Sequence, residues 1–130
     1  MRKIPGEYIQ VSRLLRQAGM GPQAVAAHAT PITREFAIVL TELITGITPI
    51  FRGYRGRANK PNSRHVRGHI SLPAPSGVRY DGVPYLRLGI VLHECAHILA
   101  WRSSVGTKIR PHGEKFCETL AELLRVYTPK

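Results

Sequence analysis

The sequence predicts a single α+β domain that spans residues 1–130. The chain has 130 residues, which is the size of one ordinary domain. Hydrophobic residues make up 43% and charged residues 21%, a balance typical of folded globular proteins. Four segments repeat apolar residues at three- and four-residue spacings, whereas one segment alternates apolar and polar residues. These patterns indicate four helices and a strand with one face in water.

The first two helices are predicted in the N-terminal third. Residues Gly6 to Ala18 form a short amphipathic helix, and the Gly- and Pro-containing segment 19–22 ends it. A second helix runs from Thr33 to Thr45, with Thr33 as N-cap and Gly46 closing it. Its predicted buried stripe comprises Phe36, Val39, Leu40, Leu43 and Ile44.

A basic segment, residues 51–69, follows these helices and contains no acidic residue. Its basic residues are Arg52, Arg55, Arg57, Lys60, Arg64 and Arg67. In the whole chain, 19 Lys and Arg stand against eight Asp and Glu, a formal net charge of +11. Such an excess attracts polyanions, so DNA is a candidate partner, and Phe51 and Tyr54 could stack on bases. The alternative interpretation is a solvated loop or hairpin, because Gly, Asn and Pro are frequent here.

The end of this segment is predicted to form a strand. From His65 to Leu72, every second residue is apolar or Gly, which indicates one buried and one wet face. Pro73 and Pro75 end the strand, and Tyr80-Asp81-Gly82 marks a turn.

The last third is predicted to be helical. One helix covers Leu86 to Trp101, a loop covers Ser103 to Pro111, and the final helix covers Gly113 to Tyr127. The predicted core residues of the final helix are Phe116, Leu120, Leu123, Leu124 and Tyr127.

The sequence His93-Glu94-Cys95-Ala96-His97 fits the pattern H-E-x-x-H and lies inside a predicted helix. Residues four apart project from the same helix face, so His93 and His97 can bind one Zn²⁺. Glu94 flanks that face, where it can take a proton from a metal-bound water as a general base. A chance match in a chain of this length would occur in fewer than about one case in a hundred, so zinc binding is the favoured interpretation.

A catalytic zinc needs a third protein ligand and one open position. The sequence offers two candidates, His112 and Glu118. His112 is preferred because Gly113 lets the backbone come close to the site and Phe116 could wedge the two helices together. Glu118 is the alternative: it could replace His112 as third ligand or add a further ligand. Otherwise it would lie on a solvated helix face.

The metal motif, together with His112-Gly113-Glu114-Lys115-Phe116, resembles the SprT-like zinc metallopeptidases and the small metallohydrolases of actinobacteria and their phages. The resemblance covers about Leu86 to Leu124. It implies a zincin-like fold with a small, mostly antiparallel sheet, zinc bound by His93, His97 and His112, and Glu94 as general base. The larger SprT proteins carry a C-terminal cysteine zinc ribbon that this sequence does not contain.

Other residues receive simpler interpretations. Cys95 and Cys117 are expected to be free and to pack in the core. Trp101 is expected to pack rather than to line the site. The histidines His28, His65 and His69 are expected on the surface. Tyr80 and Tyr85 are candidate hydrogen-bond donors to an oxyanion.

The favoured function is a zinc metallopeptidase that acts on a protein or peptide substrate. The alternatives are a basic nucleic-acid-associated module with a structural zinc and a zinc hydrolase of non-peptide substrates. The strand from His65 to Leu72 is the candidate sheet edge for substrate binding, with an ordinary core strand as the alternative. The sequence contains no candidate for a signal peptide or a membrane span, so a cytoplasmic location is expected.

Overall fold

The computed structural model describes residues 6–104 and 112–128, residues 6–10 by their backbone alone. Its helices are α1 (Gly6–Gln17), α2 (Gly21–His28), α3 (Arg34–Thr45), α4 (Leu88–Arg102) and α5 (Glu114–Tyr127). Three short strands, β1 (Ile50–Phe51), β2 (Arg57–Asn59) and β3 (His69–Leu72), lie between α3 and α4. The α+β class is confirmed. Most of the predicted loop before α5, residues 105–111, lies outside the described residues.

Helix α2 was not predicted. Helix α1 ends at Gln17, close to its predicted end, and Gly19 turns the chain with φ of 76°. A new helix then begins at Gly21, with Pro22 in its first turn. Proline is tolerated there because the first N–H groups of a helix have no partner within the helix. The residues that stop α1 therefore also start α2.

Helix α3 has the predicted caps but a different buried face. The hydroxyl of Thr33 accepts a hydrogen bond from the N–H of Phe36 at 3.1 Å, and Gly46 is left-handed with φ of 73°. The buried residues are Ala37, Leu40, Thr41 and Thr45, with Ile44 half-buried. Three residues of the predicted stripe, Phe36, Val39 and Leu43, are 50%, 63% and 70% exposed. The predicted stripe is therefore wrong for these three.

The strands form one three-stranded sheet with the order β1-β3-β2. It is mixed, because β1 pairs with β3 in parallel and β2 pairs with β3 antiparallel. The expected antiparallel arrangement thus holds for one pairing. The predicted strand from His65 begins only at His69, and Ile70, Ser71 and Leu72 are all buried. The predicted wet face is therefore wrong at Ser71, which is buried, whereas His65 and Arg67 are exposed but precede the strand.

Helix α4 lies at the centre of the molecule and contacts α2, α3, α5 and the sheet. Val91, Leu92, Ala96 and Ile98 are fully buried. They belong to one apolar cluster to which all five helices and β3 contribute. No helix in the described ranges is long and apolar enough to span a bilayer.

Candidate metal centre

Three histidines converge where α4 meets the start of α5. His93 and His97 lie one turn apart on α4, and His112 lies two residues before α5. One ring nitrogen from each lies within 4.8 Å of the other two. The Nε2 atoms of His93 and His112 are 3.2 Å apart, and tetrahedral zinc with Zn–N bonds of 2.0–2.1 Å sets ligand nitrogens about 3.3 Å apart. The donor set therefore fits a metal ion.

Burial keeps two of these imidazoles in the form that binds metals. Burial, followed by the neighbouring histidines, lowers the pKa of His93 to about 3. Burial and then His112 lower the pKa of His97 to about 4. Both rings are consequently neutral at physiological pH, and only a neutral imidazole has a lone pair to offer a metal.

Aromatic rings hold the three histidines in place. Phe116, on the first turn of α5, has its ring centroid 4.9 Å from that of His93, 4.4 Å from that of His97 and 5.1 Å from that of His112. Phe116 is fully buried. Trp101 stacks on His97 at 5.3 Å with an interplanar angle of 22°. The packing role expected for Trp101 is thus directed at a candidate ligand.

Glu94 is a buried acid beside this cluster. Its residue exposure is 6%, and burial raises the pKa of its carboxyl to about 7. No residue in the described part of the chain donates a hydrogen bond to Glu94 or forms an ion pair with it. An unpartnered buried acid with a pKa near neutrality is typical of a proton-transfer group in an active site.

Gly56 brings strand β2 against Glu94. A Cβ atom at position 56 would lie 2.6 Å from Oε2 of Glu94 and 2.8 Å from Cγ2 of Ile90. Only glycine therefore fits without displacing the acid or the strand. Strand β2 begins at the next residue and is an edge of the sheet. Residues 65–72 were the candidate substrate edge, with an ordinary core strand as the alternative. The core-strand alternative is confirmed for β3, which is central, and the edge near Glu94 is β2.

His28 lies closer to the site than the sequence indicated. It was expected on the surface, and the residue as a whole is exposed. Its ring, however, lies over Gly89, where a Cβ atom would come within 2.5 Å of Nδ1. Gly89 precedes His93 by one helical turn. Partial burial, followed by Arg87, lowers the pKa of His28. No sequence signal linked residue 28 to the motif 65 residues later.

The remaining candidates lie elsewhere. Glu118 is exposed and is not part of the three-histidine cluster. Tyr80 is fully exposed at the predicted turn, and the ring of Tyr85 lies 5.7 Å from that of Tyr54. Cys95 and Cys117 are free and buried, as expected, and burial raises the pKa of the Cys95 thiol to about 12.

The six basic residues of the segment 51–69 are all exposed, but they do not have one common role. Arg67 donates a hydrogen bond to the carbonyl oxygen of Gly46 at 3.2 Å, and its own carbonyl oxygen accepts from Arg102. Arg55 lies over the ring of Tyr54. Arg57 is on the edge strand β2. Arg52, Lys60 and Arg64 complete the exposed set.

Comparisons of the chain with protein-family models, with curated protein sequences and with solved structures found no match. The chemistry of the site must therefore be inferred from its own residues.

Proposed function

We propose that this protein is a zinc-dependent hydrolase, and specifically a peptidase. The observation that carries the proposal is the combination of three converging imidazoles with the buried carboxyl group of Glu94, which has no hydrogen-bond or ion-pair partner among the described residues. His93, His97 and His112 would hold the metal, which leaves one tetrahedral position for water or substrate. The likeness to the SprT-like family remains part of this proposal.

The chemistry divides between the metal and Glu94. A zinc ion at such a site acts as a Lewis acid and lowers the pKa of a bound water to about 7. Glu94 accepts a proton from the attacking water and returns it to the leaving group. In the metal-free protein burial raises the pKa of this carboxyl to about 7, and a bound dication would lower it and so favour the carboxylate that accepts the proton.

A peptide is favoured over other substrates because of β2. Its outer edge pairs with no described strand, and Gly56 places the start of that strand against Glu94. An extended peptide that added itself to this edge would form main-chain hydrogen bonds, which align a backbone carbonyl with the site. Esters and other acyl compounds would lack this repeated pairing. They remain the alternative substrates.

Two variants test the proposal. Glu94→Gln should retain one zinc per chain and lose hydrolysis of a casein or peptide-library substrate, because the amide cannot accept the proton. Glu118→Gln is the matched control, because this glutamate is exposed and outside the cluster, and it should retain both properties. Zinc content is measured by mass spectrometry after dialysis. An active Glu94→Gln variant, or a wild-type protein that takes up no zinc, would contradict the proposal.

Binding of nucleic acid is a second candidate function, favoured by the six exposed basic residues and the net charge of +11. The version with a structural zinc receives less support, because such a site needs a fourth ligand and the described residues add none to the three histidines. The test is titration of a fluorescent duplex DNA at several salt concentrations. Affinity should fall linearly on a log–log plot, and Arg57→Ala should reduce the slope by about 1 if this residue meets a phosphate. No binding at low salt would exclude this function.

A further inference from the structure

A cavity of about 580 Å³ lies beside the candidate metal centre, between helices α1, α2, α4 and α5 and the turn at residues 79–83. Its volume is within the range of small-ligand sites. The lining residues are Val11, Ser12 and Leu15 from α1; Ala24, Val25, His28 and Ala29 from α2 and its C-cap; Arg79 and Val83; Gly89 and His93 from α4; and Leu120 and Leu124 from α5.

The cavity and the metal centre share one residue, His93. This ring both lines the cavity and belongs to the three-histidine cluster. Gly89 and His93 lie four residues apart, so they face the same way from α4. The absence of a side chain at Gly89 lets α2 approach and lets the ring of His28 form part of the cavity wall. His93 is therefore the point at which the cavity and the metal centre meet.

The side chains that line the cavity determine which kind of ligand group it can bind. Most of the described lining side chains are aliphatic, and none of these is a carboxylate. The one cation among the described lining residues is Arg79, which is paired with Asp81, whereas burial lowers the pKa values of His28 and His93 and so favours their neutral rings. A Lys or Arg side chain would lose its water without gaining a counter-charge. A large uncharged apolar group gains from burial instead, because apolar surface leaves water.

We propose that this cavity is the subsite for a bulky apolar side chain next to the scissile bond, so that the substrates are peptides with residues such as Leu, Met or Phe at that position. The inference rests on the proposed zinc peptidase. Helices α1 and α2 supply much of the wall, so the N-terminal part of the chain determines the specificity of a site whose metal ligands all lie in the C-terminal part.

The test uses zinc-loaded protein and alkyl hydroxamates, which bind zinc through the hydroxamate group, in a series from acetohydroxamate to octanohydroxamate. Calorimetry should show affinity rising by up to about fourfold for each methylene that enters the cavity. At equal chain length, 6-aminohexanohydroxamate should bind more weakly than hexanohydroxamate because the wall offers its ammonium group no partner. Wild-type cleavage of a peptide library should show the matching preference for large apolar residues.

Two variants fill the cavity from opposite sides. Ala24→Phe adds bulk from α2, and Val83→Trp adds bulk from the turn. Each variant should bind zinc and acetohydroxamate like the wild type. Its affinity for the longer alkyl hydroxamates should no longer rise with chain length. Val126→Phe is the control, since Val126 is exposed on α5 and does not line this cavity; it should keep the rise in affinity with chain length.

The outcomes separate the two proposals. If the wild-type protein binds zinc and acetohydroxamate but its affinity does not rise with the length of the alkyl chain, the subsite is refuted and the metal centre is not. The subsite is also refuted if Ala24→Phe and Val83→Trp, both shown to be folded by circular dichroism, keep the wild-type rise in affinity with chain length. Failure of the wild-type protein to bind zinc or acetohydroxamate refutes the metal centre and the subsite together.

Discussion

Replacing Glu94 by Gln should make the zinc-free protein more stable at high pH. The carboxyl of Glu94 has its pKa raised from 4.5 to about 7 by burial. The folded state therefore binds a proton more tightly than the unfolded state does. The contribution of this acid to stability is fully present below pH 4.5, declines as the pH rises towards 7, and is lost above it. Glutamine fills the same space and carries no proton to lose.

The size of the effect follows from the shift in pKa. One pKa unit corresponds to 1.36 kcal/mol, so a rise from 4.5 to about 7 corresponds to about 3 kcal/mol between pH 4 and pH 8. His93 and His97 act in the opposite direction, because their lowered pKa values make stability rise with pH up to about 6.5. Both proteins share that term. The difference in unfolding free energy between variant and wild type therefore isolates Glu94.

The assay is urea denaturation of chelator-treated protein, followed by circular dichroism from pH 4 to pH 8. The free-energy difference should shift in favour of Glu94→Gln by about 3 kcal/mol across this range. Adding zinc should reduce the shift, because a nearby dication lowers the pKa of the acid. Glu118→Gln, at an exposed position, serves as control and should show no such trend. A difference that stays constant with pH would refute the reasoning.

Three further predictions concern the site and its support. His112→Ala should weaken zinc binding, measured by competition with a chelator, by more than the roughly 10–100-fold typical of losing an outer hydrogen-bond partner; unchanged affinity would remove His112 from the ligand set. Gly56→Ala should retain zinc and lower kcat by about 10²-fold, because the new Cβ collides with Oε2 of Glu94; wild-type kcat would show that the strand yields freely. The buried thiol of Cys95, with its pKa raised to about 12, should resist iodoacetamide at pH 8 until the protein is unfolded, and rapid labelling of the folded protein would contradict its burial.

The metal motif could be predicted from sequence because its spacing is local. His93, Glu94 and His97 lie on one helix, so helical periodicity alone fixes their relative directions. The third ligand could not be fixed in this way, because His112 and Glu118 were both candidates. The structure brings His112, not Glu118, into the cluster. The contact between Gly56 and Glu94 could not be predicted, because it depends on how the sheet docks on α4.

The errors in α3 and β3 have one physical origin. Apolar patterns were taken to mark the buried face, but α3 buries Thr41 and Thr45 and exposes Val39 and Leu43. Thr45 is tolerated inside because its hydroxyl bonds to its own helix: Oγ1 of Thr45 donates to the carbonyl oxygen of Thr41 at 2.7 Å. In β3, Ser71 is likewise buried, because residues on both faces of this strand are covered. Alternation predicts a wet face only where one side of the sheet is open.

The packing of Phe116 bears on how a metal ion binds to the site and dissociates from it. Its contacts with all three histidines are carbon contacts between side chains, so the ordering of the ligands is completed when the chain folds. In zinc fingers, by contrast, metal removal unfolds the domain. Here a chelator should leave an intact apoprotein that accepts a replacement ion such as Co²⁺ at once, without a slow refolding phase.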